Sequence, residues 1–391
     1  MKRLEDISFS GKTVFLRVDF NVPLTDKGEI RDDTRIQASL PTIRYLLAQR
    51  ARLVIASHLG RPKGKADPKL SLRPAAERLS GLIGRTVVLA PAVVGPEVEK
   101  LKGGLEEGQA LLLENLRFEA LETANDAGFA RRLAQGIDVF VNDAFGACHR
   151  AHASVVAIAQ FVKEKAAGYL LQKEVEYLSR AVHSPEKPYV VILGGAKVSD
   201  KIPVIQNLLG KADHILIGGA MAYTFFRAQG YGVGRSLVEE DKIELALEIM
   251  RRAQAERLDL VLPSDHLLAA ALDNTSPVEV VSSFPFPADR MAVDIGPKTI
   301  EKYSSVIAGA RMVVWNGPLG VFEIDRFAQG TIRIAEAVAA AKATTIVGGG
   351  DSIAALEKAG VSSRITHIST GGGASLEYLA SGTLPGIEAL N

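Results

Sequence analysis

At 391 residues the chain is longer than one hydrophobic core usually organises, so two domains are expected, and its 47% apolar content is enough for both. With 46 Lys and Arg against 45 Asp and Glu the net charge is +1, which excludes recruitment of nucleic acid or an anionic membrane by a global field and makes any anion site local. The single cysteine, Cys148, excludes an internal disulfide and fits a reducing compartment; residues 1–12 carry charge but no apolar signal core, and no apolar run reaches the roughly 18 residues of a membrane span, so a soluble cytoplasmic protein is expected.

In the first half, apolar β-rich runs at 13–18, 53–57, 86–90, 111–114 and 137–141 alternate with amphipathic stretches at 38–49, 72–83 and 124–135. Such alternation predicts a parallel sheet covered by helices on both faces, with ligands bound beyond the carboxyl ends of its strands. Gly11-Lys12-Thr13 imitates the end of a Walker motif, but Asp6 stands where the first glycine belongs, and the tripeptide is expected as a turn before the first strand.

At those strand ends basic groups gather. The runs pass into Arg17-Val18-Asp19-Phe20-Asn21, His58-Leu59-Gly60-Arg61, Asn115-Leu116-Arg117, and Asn142-Asp143 followed by His149-Arg150, while Arg35 opens the first helix. The planar fork of arginine binds carboxylate and phosphate bidentately and stays charged. Any one of these arginines alone is an ordinary solvated or ion-paired residue. Together they predict a site for a small, multiply anionic ligand, with Asp19 and Asn21 accepting from its hydroxyls. Each histidine alone reads as a structural hydrogen-bonder, and no pair has the flanking ligands of a metal site.

Residues 166–182 have helical periodicity and lead into the polar, twice-proline segment 183–188, which is expected as a connector and domain boundary. Strands are predicted again near 189–193, 214–217, 258–262, 278–281, 311–315, 344–347 and 365–368. Their ends carry glycine: Gly194-Gly195, Gly218-Gly219, Asn316-Gly317-Pro318, Gly348-Gly349-Gly350-Asp351-Ser352 and Thr370-Gly371-Gly372-Gly373. Glycines at strand-to-helix turns let backbone amides approach a phosphate chain, so several on one sheet edge point to a nucleotide. After Gly195, Ser199 or Asp200 is expected to cap a helix whose first turn carries Lys197 and Lys201 on one side, aimed at an anion; a plain strand-turn-helix corner with two solvated lysines has the same pattern. The dinucleotide fingerprint fails at Ile353, which occupies its third glycine position, so a standard dehydrogenase and a standard P-loop NTPase are both disfavoured.

Over its whole length the chain resembles the phosphoglycerate kinase family. The residues that carry the likeness are Val14-Phe15-Leu16-Arg17-Val18-Asp19-Phe20-Asn21-Val22-Pro23, Ser57-His58-Leu59-Gly60-Arg61-Pro62, Glu114-Asn115-Leu116-Arg117-Phe118, Gly194-Gly195-Ala196-Lys197-Val198-Ser199-Asp200-Lys201, Trp315-Asn316-Gly317-Pro318 and Gly348-Gly349-Gly350-Asp351-Ser352. Where many members read Met-Gly-Leu-Asp-Ile-Gly, this chain reads Met291-Ala292-Val293-Asp294-Ile295-Gly296, which puts an extra methyl where the likeness implies the adenine pocket.

The resemblance implies two doubly wound parallel-sheet, Rossmann-like α/β domains facing each other across a cleft: 1–168 with the tail 378–391 for phosphoglycerate, 169–187 as connecting helix and hinge, and 188–377 for nucleotide. It implies a cytoplasmic, monomeric glycolytic kinase that moves a phosphoryl group reversibly between 1,3-bisphosphoglycerate and MgADP, giving 3-phosphoglycerate and MgATP, by direct in-line transfer with domain closure. By the same likeness Asp19, Asn21, Arg35, His58, Arg61, Arg117 and Arg150 hold phosphoglycerate. Lys197, Lys201, Ala292, Asn316, Glu323, Gly349, Gly350, Asp351 and Ser352 hold ATP or ADP, with Asp351 on Mg²⁺, and Arg35, Lys197, Gly349 and Gly372 surround the transferring group. Two rivals remain at this point, a non-catalytic sensor of an anionic metabolite and a nucleotide, and an atypical nicotinamide-dependent dehydrogenase.

Overall fold

The computed structural model describes residues 1–391, which form two compact units, Met1–Glu176 with Thr383–Asn391, and Tyr177–Gly382. The first contains a six-stranded parallel sheet of β1 (Thr13–Arg17), β2 (Arg52–Ala56), β3 (Val87–Leu89), β4 (Ala110–Leu112), β5 (Val139–Asn142) and β6 (Glu164–Ala167), in the order β3-β4-β2-β1-β5-β6. All five residues of β1 are buried, as a continuous apolar run covered on both faces requires. The helix Thr34–Ala48 lays Ile36, Ile43 and Leu46 against Val14, Leu16, Leu53 and Ile55. From β1 the chain crosses to β2 on one side, and from β5 to β6 on the other, so the carboxyl ends of the neighbours β1 and β5 open a crevice at the switch point of the topology.

Ala166 and Ala167, expected as the start of the connecting helix, lie instead in β6, paired with Val141 and Asn142. The helix runs Tyr169–His183. Gly168 separates the two: a Cβ there would fall 2.2 Å from Asp143 Oδ1, the oxygen that accepts the N–H groups of Leu170 and Leu171 and so caps the helix.

The second unit holds β7 (Tyr189–Leu193), β8 (His214–Ile217), β9 (Asp259–Val261), β10 (His266–Ala269), β11 (Val278–Val281), β12 (Met291–Ile295), β13 (Met312–Asn316), β14 (Thr344–Gly348) and β15 (His367–Ile368). Six of them form a parallel sheet in the order β15-β14-β13-β7-β8-β9; β11-β10-β12 form a separate antiparallel one. Residues 278–281 are thus a strand as predicted, but β10 to β11 is too short a step for the crossover a parallel pair needs. Here the switch point lies between β7 and β13, whose ends are Gly194-Gly195 and Asn316-Gly317-Pro318.

The boundaries of the units differ from the expected ones at two places. Residues 169–176 cluster with the first unit and 177–183 with the second. Residues 378–382 cluster with the second, where the helix Gly373–Ser381 packs on Ile202–Leu208 and Asn207 Nδ2 donates to the Leu379 carbonyl at 2.6 Å. The helix Pro385–Glu388 belongs to the first unit: Gly386 N–H donates to the Cys148 carbonyl at 2.9 Å, and Lys165 Nζ to that of Ala389 at 3.1 Å. No helix is long and apolar enough to cross a membrane.

Candidate functional site

At the switch point of the first unit, β1 ends on Arg17, which is fully buried. Its Nε donates to Ser154 Oγ at 2.9 Å, its Nη1 to the Val18 carbonyl, and its Nη2 lies 3.1 Å from His58 Nδ1. Asp19 follows, with Oδ2 2.5 Å from Arg35 Nη1 and Oδ1 4.0 Å from His58 Nε2. Asn21 Oδ1 accepts from Gly60 N–H at 2.9 Å, joining the β1 loop to the β2 loop. Arg117, buried in the short helix Leu116–Phe118, donates through Nη1 to the Gly60 carbonyl at 2.8 Å, while its Nε has no partner. Arg61 and Arg150 are exposed, the latter donating through Nε to His149 Nε2 at 3.0 Å.

Burial and mutual repulsion set the charges of this cluster. Burial, with Arg17 and Arg150 adding to it, lowers Arg117 to about 10, still protonated at neutral pH. Burial holds His58 well below its ordinary range, so its imidazole is neutral. Burial alone would raise Asp19, but the neighbouring side chains, Arg35 and Arg17 among them, outweigh it and keep the carboxylate ionised. The result is a recess with unpaired guanidinium donors beside one acceptor carboxylate, suited to a small ligand bearing both phosphate or carboxylate and hydroxyl groups.

In the second unit the backbone at the switch point is packed closely. A Cβ on Gly194 would lie 2.0 Å from the Pro318 carbonyl oxygen, and one on Gly219, at φ +66°, 2.6 Å from Gly195 N. These contacts leave a cavity of about 220 Å³ walled by Gly195, Gly219, Tyr223, Ala292, Glu323 and Asp351. Lys201 is buried and donates through Nζ to Asn316 Oδ1; Asn316 Nδ2 donates to the Gly348 carbonyl at 2.9 Å, and Gly317 N–H to Ser352 Oγ at 2.7 Å. Gly349, at φ +95°, is the N-cap of the helix Gly350–Lys358, whose first-turn N–H groups are left without intrahelical partners. Burial lowers Lys201, with Asp200 and Asp351 opposing it. Gly372, at φ +54°, offers its carbonyl to Ser375 Oγ at 2.7 Å, and Ser375 Oγ would sit 2.9 Å from a Cβ on Gly348.

Lys197 and Lys201 are not on a helix. The helix starts at Ile202, because Pro203 has no N–H to give a helix begun at Ser199, and the hydroxyl and N–H of Ser199 go to Glu239 at 2.6 and 3.0 Å. Lys197 is exposed in the turn, and Lys201 is turned inward.

The sequence profile that defines phosphoglycerate kinase matches residues 4–382. The chain belongs to the phosphoglycerate kinase family. The phosphoglycerate kinase of Anaeromyxobacter sp. (strain Fw109-5) is 56% identical over 392 residues, covering 100% of this chain and 99% of its own. That of Koribacter versatilis (strain Ellin345) is 54% identical over 395 residues, covering 99% of this chain and 98% of its own. The solved structure of phosphoglycerate kinase from Coxiella burnetii has a TM-score of 0.92 at 40% identity, covering 100% of this chain and 98% of that one. As a member of this kinase family the chain is an enzyme, a transferase.

Within the first unit the structure brings together Asp19, Asn21, Arg35, His58 and Arg117, and within the second Lys201, Ala292, Asn316, Glu323, Gly349, Asp351 and Ser352. Arg61, Arg150 and Lys197 lie exposed, outside those hydrogen-bonded groups. Sequence reasoning counted Arg17 in the strand-end basic cluster but gave it no role of its own, and it missed Tyr223 and Asp294 on the cavity wall. Asp294 accepts from Gly330 N–H at 2.6 Å and from Ile295 N–H at 2.9 Å, and burial pushes its carboxyl up to about 8.

Proposed function

We propose that the chain catalyses reversible phosphoryl transfer between 1,3-bisphosphoglycerate and MgADP, giving 3-phosphoglycerate and MgATP, by direct in-line transfer with hinge-bending domain closure. The observation that carries this reading is the pair of switch points with opposite equipment, guanidinium donors at one and glycine turns with a buried lysine at the other. Asp19, Asn21, Arg35, His58, Arg61, Arg117 and Arg150 hold the phosphoglycerate; Lys197, Lys201, Ala292, Asn316, Glu323 and the turn from Gly349 to Ser352 hold the nucleotide.

The acceptor in the reverse direction is a carboxylate, ionised at pH 7, so no general base is needed and the task is alignment and neutralisation of charge. Arg35, Lys197 and the amides around Gly349 and Gly372 do this at the transferring group. Asp351 is an exposed carboxylate in the first turn of its helix, at the cavity wall, and it offers the single hard oxygen that Mg²⁺ takes when water and phosphate oxygens fill the rest of its shell. Bound there, the ion supplies positive charge to the phosphates. The two ligands are held by different units, and in-line transfer needs reacting atoms within roughly 3 to 3.5 Å, so closure belongs to the mechanism. A reducing, cytoplasmic setting is part of this reading, in which the single, buried Cys148 stays a free thiol.

A coupled assay for ATP formed from ADP and 1,3-bisphosphoglycerate tests the reading. Turnover is expected; binding of both ligands without turnover would identify a sensor, and an absorbance change at the nicotinamide band would identify a dehydrogenase.

A further inference from the structure

Beneath the first-unit recess lies a buried carboxylate with no part in the chemistry above. Glu122 has no exposed surface; its Oε1 accepts the Ser154 hydroxyl at 2.6 Å and its Oε2 the Ser154 N–H at 2.9 Å. His152 Nδ1, at 3.9 Å, is beyond hydrogen-bond distance, so Ser154 is the partner that satisfies the carboxylate. With its proton committed to Glu122, the Ser154 oxygen has lone pairs free, and one of them accepts from Arg17 Nε at 2.9 Å.

Arg17 extends the order. A guanidinium only donates, so His58 Nδ1, 3.1 Å from Arg17 Nη2, must be the nitrogen without hydrogen, and the neutral ring carries its proton on Nε2. That nitrogen faces Asp19, itself bonded to Arg35. The donors therefore run one way, from Arg17 into Ser154 and Glu122 at one end and into His58 at the other. Glu122 is also the first of the charges that favour the Arg17 cation against its burial.

We propose that Glu122 is a positioning residue for the phosphoglycerate recess: through Ser154 it anchors Arg17, and Arg17 fixes His58 as the tautomer that presents an Nε2–H donor beside Asp19. The recess half of this statement rests on the function proposed above; the tautomer half does not. Without the anchor, the Arg17 fork keeps only its Nη1 bond to the Val18 carbonyl, its Nη2 can swing off Nδ1, and the ring proton divides between the two nitrogens.

The test uses the full-length protein with ¹⁵N-labelled histidine, ligand-free, in Glu122→Gln and Ser154→Ala, with the His58 signals assigned by their loss in His58→Ala. Ser154→Ala removes the hydroxyl but keeps the N–H on Glu122, so it decides the matter if Glu122→Gln does not fold. The wild type is expected to show an unprotonated Nδ1 and a protonated Nε2, and the variants a mixture. The KM for 3-phosphoglycerate is expected to rise roughly three- to tenfold, within the loss of one charge-assisted hydrogen bond, with the KM for ATP unmoved. An unchanged tautomer pattern in a folded Ser154→Ala overturns the anchoring of His58. A changed pattern with an unchanged phosphoglycerate KM overturns the positioning role. If His58→Ala itself leaves that KM unchanged, the substrate reading of His58 fails, while the tautomer measurement still judges the anchor.

Discussion

Arg35 Nη1 lies 2.5 Å from Asp19 Oδ2, so the arginine assigned to the transferring group is tethered before any ligand arrives. Preorganisation of this kind spares the ordering of a long side chain during reaction. Asp19→Asn keeps the shape and removes the charge that pairs with Arg35. We expect kcat/KM for 3-phosphoglycerate to fall about ten- to a hundredfold, the worth of one hydrogen bond to a charged group, with the KM for ATP unchanged. Steady-state kinetics with each substrate varied in turn measure both; unaltered phosphoglycerate kinetics would mean the tether is idle.

The two lysines after Gly195 should behave differently. Lys197 is exposed and free to meet the transferring group, whereas Lys201 is held on Asn316. Lys197→Ala should lower turnover about 10² to 10³-fold with little change in nucleotide affinity, because a cation on developing charge acts mainly in the transition state. Lys201→Met, which keeps the buried stem, should chiefly weaken ATP binding by calorimetry. The reverse pattern would exchange the two roles.

Arg117 donates to the Gly60 carbonyl with one nitrogen and keeps its Nε unpaired. A lysine cannot hold the loop and the ligand together. Arg117→Lys should therefore raise the KM for 3-phosphoglycerate by about tenfold or more while ATP affinity stays put. Arg61→Lys and Arg150→Lys should act in the same direction and less strongly, since both start from exposed positions. Equal phosphoglycerate dependence in all three variants and wild type would make these arginines surface residues.

Burial pushes the Asp143 carboxyl up to about 7 from the 3.8 of an exposed aspartate, and its Oδ2 has no partner. The folded chain thus holds this proton more readily than the unfolded one. The stability it contributes is complete below about pH 4 and is lost as pH rises through 7. Asp143→Asn cannot titrate, so its stability relative to wild type should improve between pH 4 and 8, by up to a few kcal/mol. Denaturant unfolding at several pH values measures the difference; parallel curves for the two proteins would contradict it.

If closure is part of the reaction, a ligand that touches one unit has little differential affinity for the closed state, and only both together shift the population strongly. Small-angle scattering should give a smaller radius of gyration with 3-phosphoglycerate and a non-transferable MgATP analogue together than with either alone. A radius independent of ligands would remove hinge bending from the mechanism.

The parallel sheets were legible because Tyr189–Leu193 and, within β1, Val14–Leu16 are continuous apolar runs stopped by residues of another kind. Glu164–Ala167 was not, since two charged residues and two alanines have no strand signature and form β6 only by docking on β5. His266–Ala269 and Met291–Ile295 escaped for a related reason: their pairing is with each other across 25 or so residues, which no local pattern reports. The site was legible as a set of strand ends, but which members are buried was not. Arg17 and Arg61 look alike in sequence; one is enclosed by Ser154 and His58, the other points to water.

The segment Thr383–Asn391 completes the first unit, bonding to Cys148 and Lys165 beside the loop that carries Arg150. In vectorial synthesis that piece emerges only after the whole of Tyr177–Gly382 has been made. At about 5 to 20 residues per second, translation of the intervening residues takes on the order of 10 to 40 s. Throughout that interval the nascent first unit exposes the seat of its missing piece around Cys148 and Val155, and Tyr177–Gly382 has time to fold before its predecessor is finished.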